Sequence, residues 1–280
     1  MEKPPPLDPA LEPGPSMRVR PAASAIIASQ VDRRAYHLLN MVVLATVMLL
    51  VLSFFRDQRL PTPEQLDPQI AEEPLQEPID MAPFDRNVGR EVYHLIPLAR
   101  YDIKALVVSS HDANTWWDYI HKQVGDFINV TDLCVVWGSD ATTGIYREMS
   151  FSNSEWSCDF SLDGPRAEQL FKTDGLSNNH ILSDDPHTVK ALRSLRIGDQ
   201  IRIKGYLVNY ANSGRAPNDY RNTSLTRLDV GDGACEIIYV TDLIVLSAGT
   251  RAWMVLRTCC FVVLAICAVI WLMLPYRGRA

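Results

Sequence analysis

The sequence predicts two transmembrane α-helices flanking a β-rich (α+β) extracytoplasmic domain, with an OB-like barrel carrying one helix as the form the domain suggests. Three observations predict this. An apolar run lies near each end of the chain, at Leu38 to Phe55 and at Ala252 to Leu274. Short β-branched stretches recur between the runs. One amphipathic helical pattern interrupts those stretches, so the order reads three strands, a helix, two strands.

In chain order, residues 1–37 open with KPPPLDPALEPGP, Pro-rich sequence that cannot bury enough surface to fold. They read as a disordered cytoplasmic tail. Residues 38–55 form the first span. About 18 apolar residues suffice to cross a hydrocarbon core roughly 30 Å thick, and in lipid the backbone must be helical to satisfy its own polar groups. Asn40, Thr46 and Ser53 are its only polar members, and it carries no charge. A buried core helix is usually shorter. A cleaved signal peptide lies closer to the N-terminus and ends at small residues, whereas this run is followed by Arg56-Asp57-Gln58-Arg59.

Residues 56–86 hold Pro61, Pro63, Pro68, Pro74, Pro78 and Pro83 among acids, the composition of a semi-rigid stalk. Residues 87–249 form the domain. Within it, 104–109, 132–137 and 145–160 read as strands. Residues 184–195 repeat Val189, Leu192 and Leu195 at helical spacing, with Ser183 placed to cap and Pro186 tolerated in the first turn. Residues 200–208 and 234–246 read as the last strands.

Residues 252–274 form the second span. Its Arg257 lies near one end, where a long side chain can snorkel to the interface, and Trp253, Trp271 and Tyr276 suit the interfacial belts. Residues 275–280 remain as a cytoplasmic tail. Four arginines precede the first span and two follow it; two follow the second and one precedes it. That bias puts both termini inside and the domain outside. The expected location is a bacterial inner (plasma) membrane, multi-pass, with the large domain periplasmic or extracellular.

The chain's net charge is −6, but residues 56–251 hold 19 basic and 29 acidic side chains, a net of −10. Nucleic acid is excluded as a partner, because phosphates need cations. Membrane lipid and a protein partner or membrane assembly are the expected contacts. No C-x-x-C and no paired His/Cys spacing occurs, so no metal or other cofactor is expected. Cys259, Cys260 and Cys267 lie in the second span. Of Cys134, Cys158 and Cys235 in the domain, Cys134 and Cys158 are the first choice for a disulfide, since both fall in strand-like stretches; three buried thiols are the alternative.

Pro97-Leu98-Ala99-Arg100-Tyr101-Asp102-Ile103, Ser110-His111-Asp112, Asp132-Leu133 with Trp137-Gly138, Ser177-Asn178-Asn179-His180, Arg196-Ile197-Gly198-Asp199, and Ser224-Leu225-Thr226-Arg227 with Gly233-Ala234-Cys235-Glu236 follow one another through the domain. On these motifs the chain from about Pro97 to Leu246 resembles a family of bacterial membrane-tethered extracytoplasmic proteins whose activity is uncharacterised. The resemblance implies an N-terminal apolar anchor and brings no reaction. The second apolar run departs from it.

No catalytic constellation is declared. Ser110-His111-Asp112 contains triad residue types, but triad members meet in space rather than as consecutive residues, so a strand end entering a loop is expected. Asn178, Asn179 and His180 form a polar cluster that can bind a ligand or satisfy a tight loop. Arg227 offers a guanidinium to an anion, or pairs with Asp229 or Glu236. Trp116 and Trp117, with Tyr119, form either core or an exposed binding surface. Asn129-Val130-Thr131 and Asn222-Thr223-Ser224 match the glycosylation pattern, which is common by chance. The function expected is therefore a binding or assembly domain held at the membrane. The alternatives are an envelope hydrolase using His111, His180 or nearby acids, and a sensor subunit that needs a partner for output.

Overall fold

The structure is a computed structural model that describes residues 23–57, 60–214, 219–227, 234–249 and 251–273. Its elements are helix α1 (Ala23–Asp57); strands β1 (Leu75–Pro78), β2 (Phe84–Val88) and β3 (Glu91–Asp112); helix α2 (Ile120–Gln123); β4 (Asn129–Val136); helix α3 (Gly138–Thr142); β5 (Met149–Ser154) and β6 (Ser157–Leu162); helix α4 (Pro165–Leu170); β7 (Leu176–Leu182); helix α5 (Pro186–Arg193); β8 (Gln200–Asn212) and β9 (Glu236–Ser247); and helix α6 (Arg251–Met273). The chain divides into two compact units, Met1–Leu49 with Cys259–Ala280, and Leu50–Thr258.

The first unit contains most of the two apolar helices. Arg34–Arg56 and Ala252–Met273 are long and apolar enough to cross a membrane, and only 11% of the most apolar window of each is buried. Leu38, Met41, Leu44, Met48, Phe261 and Ile266 are exposed, which is unlike a core helix. Leu39 and Thr46 are buried on α1, and Cys260 and Cys267 on α6, each pair seven residues apart. Thr46 Oγ1 donates to the carbonyl of Val42 at 2.7 Å, so its hydroxyl is satisfied within its own helix. The two apolar helices and the β-rich domain between them fit a two-pass membrane protein.

The second unit is built on β3. This long strand pairs antiparallel with β8 from Tyr93↔Asn212 to Leu106↔Gln200, and its last residues pair with β4. β4 pairs with β7, β7 runs parallel to β9, and β9 pairs with β8, which returns to β3. The pairings thus form a closed cycle. Successive side chains on a strand point to opposite faces, so Tyr101, Ile103, Ala105 and Val107 of β3 face inward. They meet Leu133 and Val135 of β4, Ile181 of β7, Ile201, Ile203 and Leu207 of β8, Ile238 of β9, and Leu192 of α5. β5 and β6 form a separate hairpin.

Several expectations are corrected. Residues 56–86 are not a stalk standing away from the domain. Ile70 is in the main core with Leu66 against it, Tyr146 Oη donates to the Pro61 carbonyl at 2.6 Å, and β1 and β2 both add to β3. Prolines interrupt this segment without preventing apolar side chains between them from finding the core. Part of the 1–37 tail is helical from Ala23, which extends the first span towards the N-terminus; residues 1–22 lie outside the described residues, as does Leu274 onward. The strand reading of 145–160 resolves into a 3-10 turn and the β5–β6 hairpin, outside the main sheet. The third strand of the cycle is instead β7, over Asn178-Asn179-His180. Helix α5 is capped by Asp185, which accepts from Thr188 N at 2.7 Å, while Ser183 Oγ accepts from Asp185 N.

Candidate functional site

The register of three neighbouring strands places His111 of β3 opposite Asp132 of β4, and Asp132 opposite His180 of β7. Directly opposed residues share a sheet face, so an imidazole, a carboxylate and an imidazole form one row. Asp132 is fully buried and His180 nearly so. Asp132 Oδ1 lies 2.7 Å from His180 Nδ1 and accepts from Asn129 Nδ2 at 2.9 Å; its Oδ2 accepts from Trp156 N at 2.9 Å. Burial pushes the Asp132 carboxyl up, but the charge of His180 and hydrogen bonds from His180 and Asn129 outweigh it and hold the group at about 2. Burial pulls His180 down, and the Asp132 charge and hydrogen bond more than reverse this, raising it to about 9. The two form a buried ion pair.

The network continues on both sides. Arg221 Nη2 lies 3.3 Å from His180 Nε2, and its Nη1 lies 3.5 Å from Asp126 Oδ2, which also accepts from Tyr210 Oη at 2.6 Å. The Arg221 guanidinium sits 4.3 Å from the Trp156 ring centroid, a cation–π contact. Trp156 turns the β5–β6 hairpin and is the only non-glycine residue with positive φ among the described residues, at 67°. A bulky residue there is strained, and strain of this kind concentrates at sites whose surroundings hold it. Its backbone N–H on Asp132, its ring under Arg221 and its edge contact with His121 at 5.1 Å supply those surroundings. Cys158 of the same hairpin is joined by a disulfide to Cys134 of β4.

On the other side, Asn129 Nδ2 lies 3.2 Å from His121 Nε2. His121 Nδ1 lies 2.6 Å from Asp118 Oδ2, and His111 Nε2 lies 2.8 Å from the same oxygen. Asp118 Oδ1 accepts from His121 N at 3.0 Å, which fixes the carboxylate at the entry to α2. Burial raises the Asp118 carboxyl, yet hydrogen bonds from His111 and His121 leave it below the usual carboxylate range. The arrangement can hold charge away from water, pass a proton along alternating imidazole and carboxylate groups, or present three metal-ligating atoms.

The other expected site residues are dispersed. Ser110 is exposed, and Asp112 lies 3.9 Å from Arg193, so neither joins His111 in a triad. Asn178 donates to Cys235 Sγ at 3.6 Å and accepts from Asn153 at 3.0 Å. Asn179 Nδ2 donates to Ser177 Oγ at 2.9 Å. Only His180 of that trio enters the network. Arg227 lines a surface cleft with Glu73, Pro74, Gln76, Asp174 and Leu225; its Nη2 donates to the Pro74 carbonyl at 2.9 Å and its Nη1 lies 3.6 Å from Glu73. Glu73 is thus one acidic neighbour, and Asp229 lies outside the described residues. Trp116 and Trp117 are exposed, packed edge to face at 5.5 Å. Asn129 is buried in the network, which removes it as a glycan acceptor.

Sequence reasoning missed Asp118, His121, Asp132 as a hub, Trp156 and Arg221. Asp118 and His121 stand three apart, a spacing that places them on one face of a helical turn. The row from His111 to His180 needs the register of three strands and has no signature along the chain. No protein-family model, curated protein or solved structure matches this chain.

Proposed function

We propose that this chain is a two-pass protein of a bacterial inner membrane that presents its β-rich domain outside the cytoplasm as a binding or assembly module. The observation that carries the reading is the pairing of the two helices where they meet the domain. The Arg56 guanidinium lies 5.9 Å from the Trp253 ring centroid, and Arg257 lies 5.0 Å from that of Phe54. Both helices thus enter and leave the domain at one place, as a domain held on one side of a bilayer requires. The Cys134–Cys158 disulfide supports an oxidising compartment. The bias of arginines towards the outer ends of both helices supports the same orientation.

The cyclic strand order β3-β4-β7-β9-β8, with β7 and β9 parallel and α5 between β7 and β8, supports reading the domain as OB-like. For the contact surface, the loop after β3 is the strongest candidate. Trp116, Trp117 and Tyr119 are 85%, 57% and 68% exposed, and aromatic side chains dominate binding hot spots. Replacing Trp117 with a photo-crosslinking residue in intact membranes is expected to capture one discrete protein partner, with capture lost in Trp116→Ala. Absence of any discrete adduct from this loop would end the assignment of the surface. A hydrolase is the second reading, favoured by the buried imidazole–carboxylate chain; a turnover lost on His111→Gln in a folded chain would establish it over simple binding.

A further inference from the structure

We infer that His111, Asp118 and His121 form a site for a divalent transition-metal ion of the Zn²⁺ class. His111 Nε2, Asp118 Oδ2 and His121 Nδ1 all lie within 4.8 Å of one another. Two imidazole nitrogens and one carboxylate oxygen are a recurrent donor set for Zn²⁺, which leaves a fourth position to water or a further ligand. Bonds of about 2.0–2.1 Å in a tetrahedron set ligand atoms roughly 3.3 Å apart. The contacts of 2.6 and 2.8 Å to Asp118 Oδ2 must therefore open by less than about 1 Å, the scale of a side-chain rotation. Magnesium and calcium prefer oxygen donors, so this set disfavours them.

The backbone supports the placement. His111 comes from the end of β3, a rigid strand. Asp118 and His121 come from the turn into α2, where His121 N–H holds Asp118 Oδ1 and leaves Oδ2 for the ion. His111 keeps 11% side-chain exposure, so an ion has a route in.

The second, independent observation is Asn129. It is buried, and its Oδ1 has no hydrogen-bond partner. Its Nδ2 meets His121 Nε2, which assigns the His121 proton to Nδ1, facing Asp118. An ion on Nδ1 takes that nitrogen's lone pair, so the neutral imidazole adopts its other tautomer: the proton passes from Nδ1 to Nε2, where an acceptor is then required. Rotation of the Asn129 amide offers Oδ1 to it. Outer partners of this kind orient ligating histidines. The same rotation takes one donor from Asp132, which retains His180 and Trp156 N. Ion binding is thereby linked to the buried pair.

The test uses the full chain in detergent, purified without a polyhistidine tag and treated with a chelator. Zn²⁺ is titrated against a chromophoric competitor, and Co²⁺ is titrated with visible absorption as the readout. One ion per chain with the intense Co²⁺ bands of a tetrahedral site is expected. His111→Gln and His121→Gln are each expected to lower affinity at least 100-fold, and Asn129→Ala about 10–100-fold with stoichiometry unchanged. His94→Gln and His187→Gln, elsewhere in the domain, are expected to leave binding unaltered. No saturable binding by the parent chain overturns the site. So does binding that survives His111→Gln with His121→Gln. If those variants do not fold, Asp118→Asn in the parent background, followed by Co²⁺ absorption, decides in the same two directions.

Discussion

Asp132 joins two strands, β4 and β7, and a hairpin through one carboxylate, and His180 is the cation it holds. Replacing Asp132 with Ala leaves the buried His180 imidazolium without its counter-charge. Removing one member of a buried ion pair costs about 3–5 kcal/mol. Urea unfolding of Asp132→Ala in detergent is expected to show a loss of that size; a loss below about 1 kcal/mol would mean that the pair is not held together as described. The pH dependence has a sign. His180 is raised above 6.5, so its stabilisation is whole below that value and is lost as pH rises through about 9. Asp132 is lowered from 3.8, so its stabilisation is whole above that value and is lost as pH falls through about 2. The contribution of the pair is therefore greatest between about pH 4 and 6.5. Subtracting the stability curve of His180→Gln from that of the parent is expected to leave a difference that shrinks between pH 7 and 9. Of this network His180 and His111 were visible as candidates in the sequence. The partner of His180 was not, because Asp132 lies 48 residues away along the chain and meets it only through strand register.

At the scale of elements, β8 and β9 approach closely at Gly205. A Cβ there would stand 2.1 Å from the backbone oxygen of Tyr239, at the point where the register of the two strands shifts. Glycine inside a strand commonly marks such an approach. Gly205→Ala is expected to destabilise the domain by at least about 1–3 kcal/mol, the usual cost of overpacking. Thermal unfolding of the full chain checks it, and an unchanged midpoint would contradict the close approach. The strands with β-branched runs, such as the β4 stretch Asp132 to Trp137, were legible from composition and period. β7 was not. Its Ser177-Asn178-Asn179-His180 reads as a polar loop, yet all four side chains are buried, because Asn178 accepts from Asn153, His180 meets Asp132, and Asn179 donates to Ser177 within the strand. Propensity gives way there to tertiary partners. In the same way, the prolines of residues 56–86 signalled a spacer, while Leu66 and Ile70 between them bind that segment to the core.

For the whole molecule, the proposed orientation of the domain is measurable. Glu168 is exposed on α4, away from both apolar helices in sequence. Glu168→Cys is expected to react with a membrane-impermeant maleimide applied outside sealed cells, above the level of the parent chain. Reaction only after the membrane is opened would place the domain inside, against the proposed orientation.

The sequence by itself determined the two membrane-length helices, the β-rich domain between them and the position of α5. Each of these rests on a local property: apolar run length, period or helix-end chemistry. The tertiary structure decided the rest. It folded residues 61–86 onto the domain, turned a polar tetrapeptide into a buried strand, and gathered His111, Asp118, His121, Asn129, Asp132 and His180 into one network. The physical reason is that a buried polar residue is stable only beside its partner, and those partners come together from the end of β3, the turn into α2, β4 and the more distant β7 only when the chain has folded.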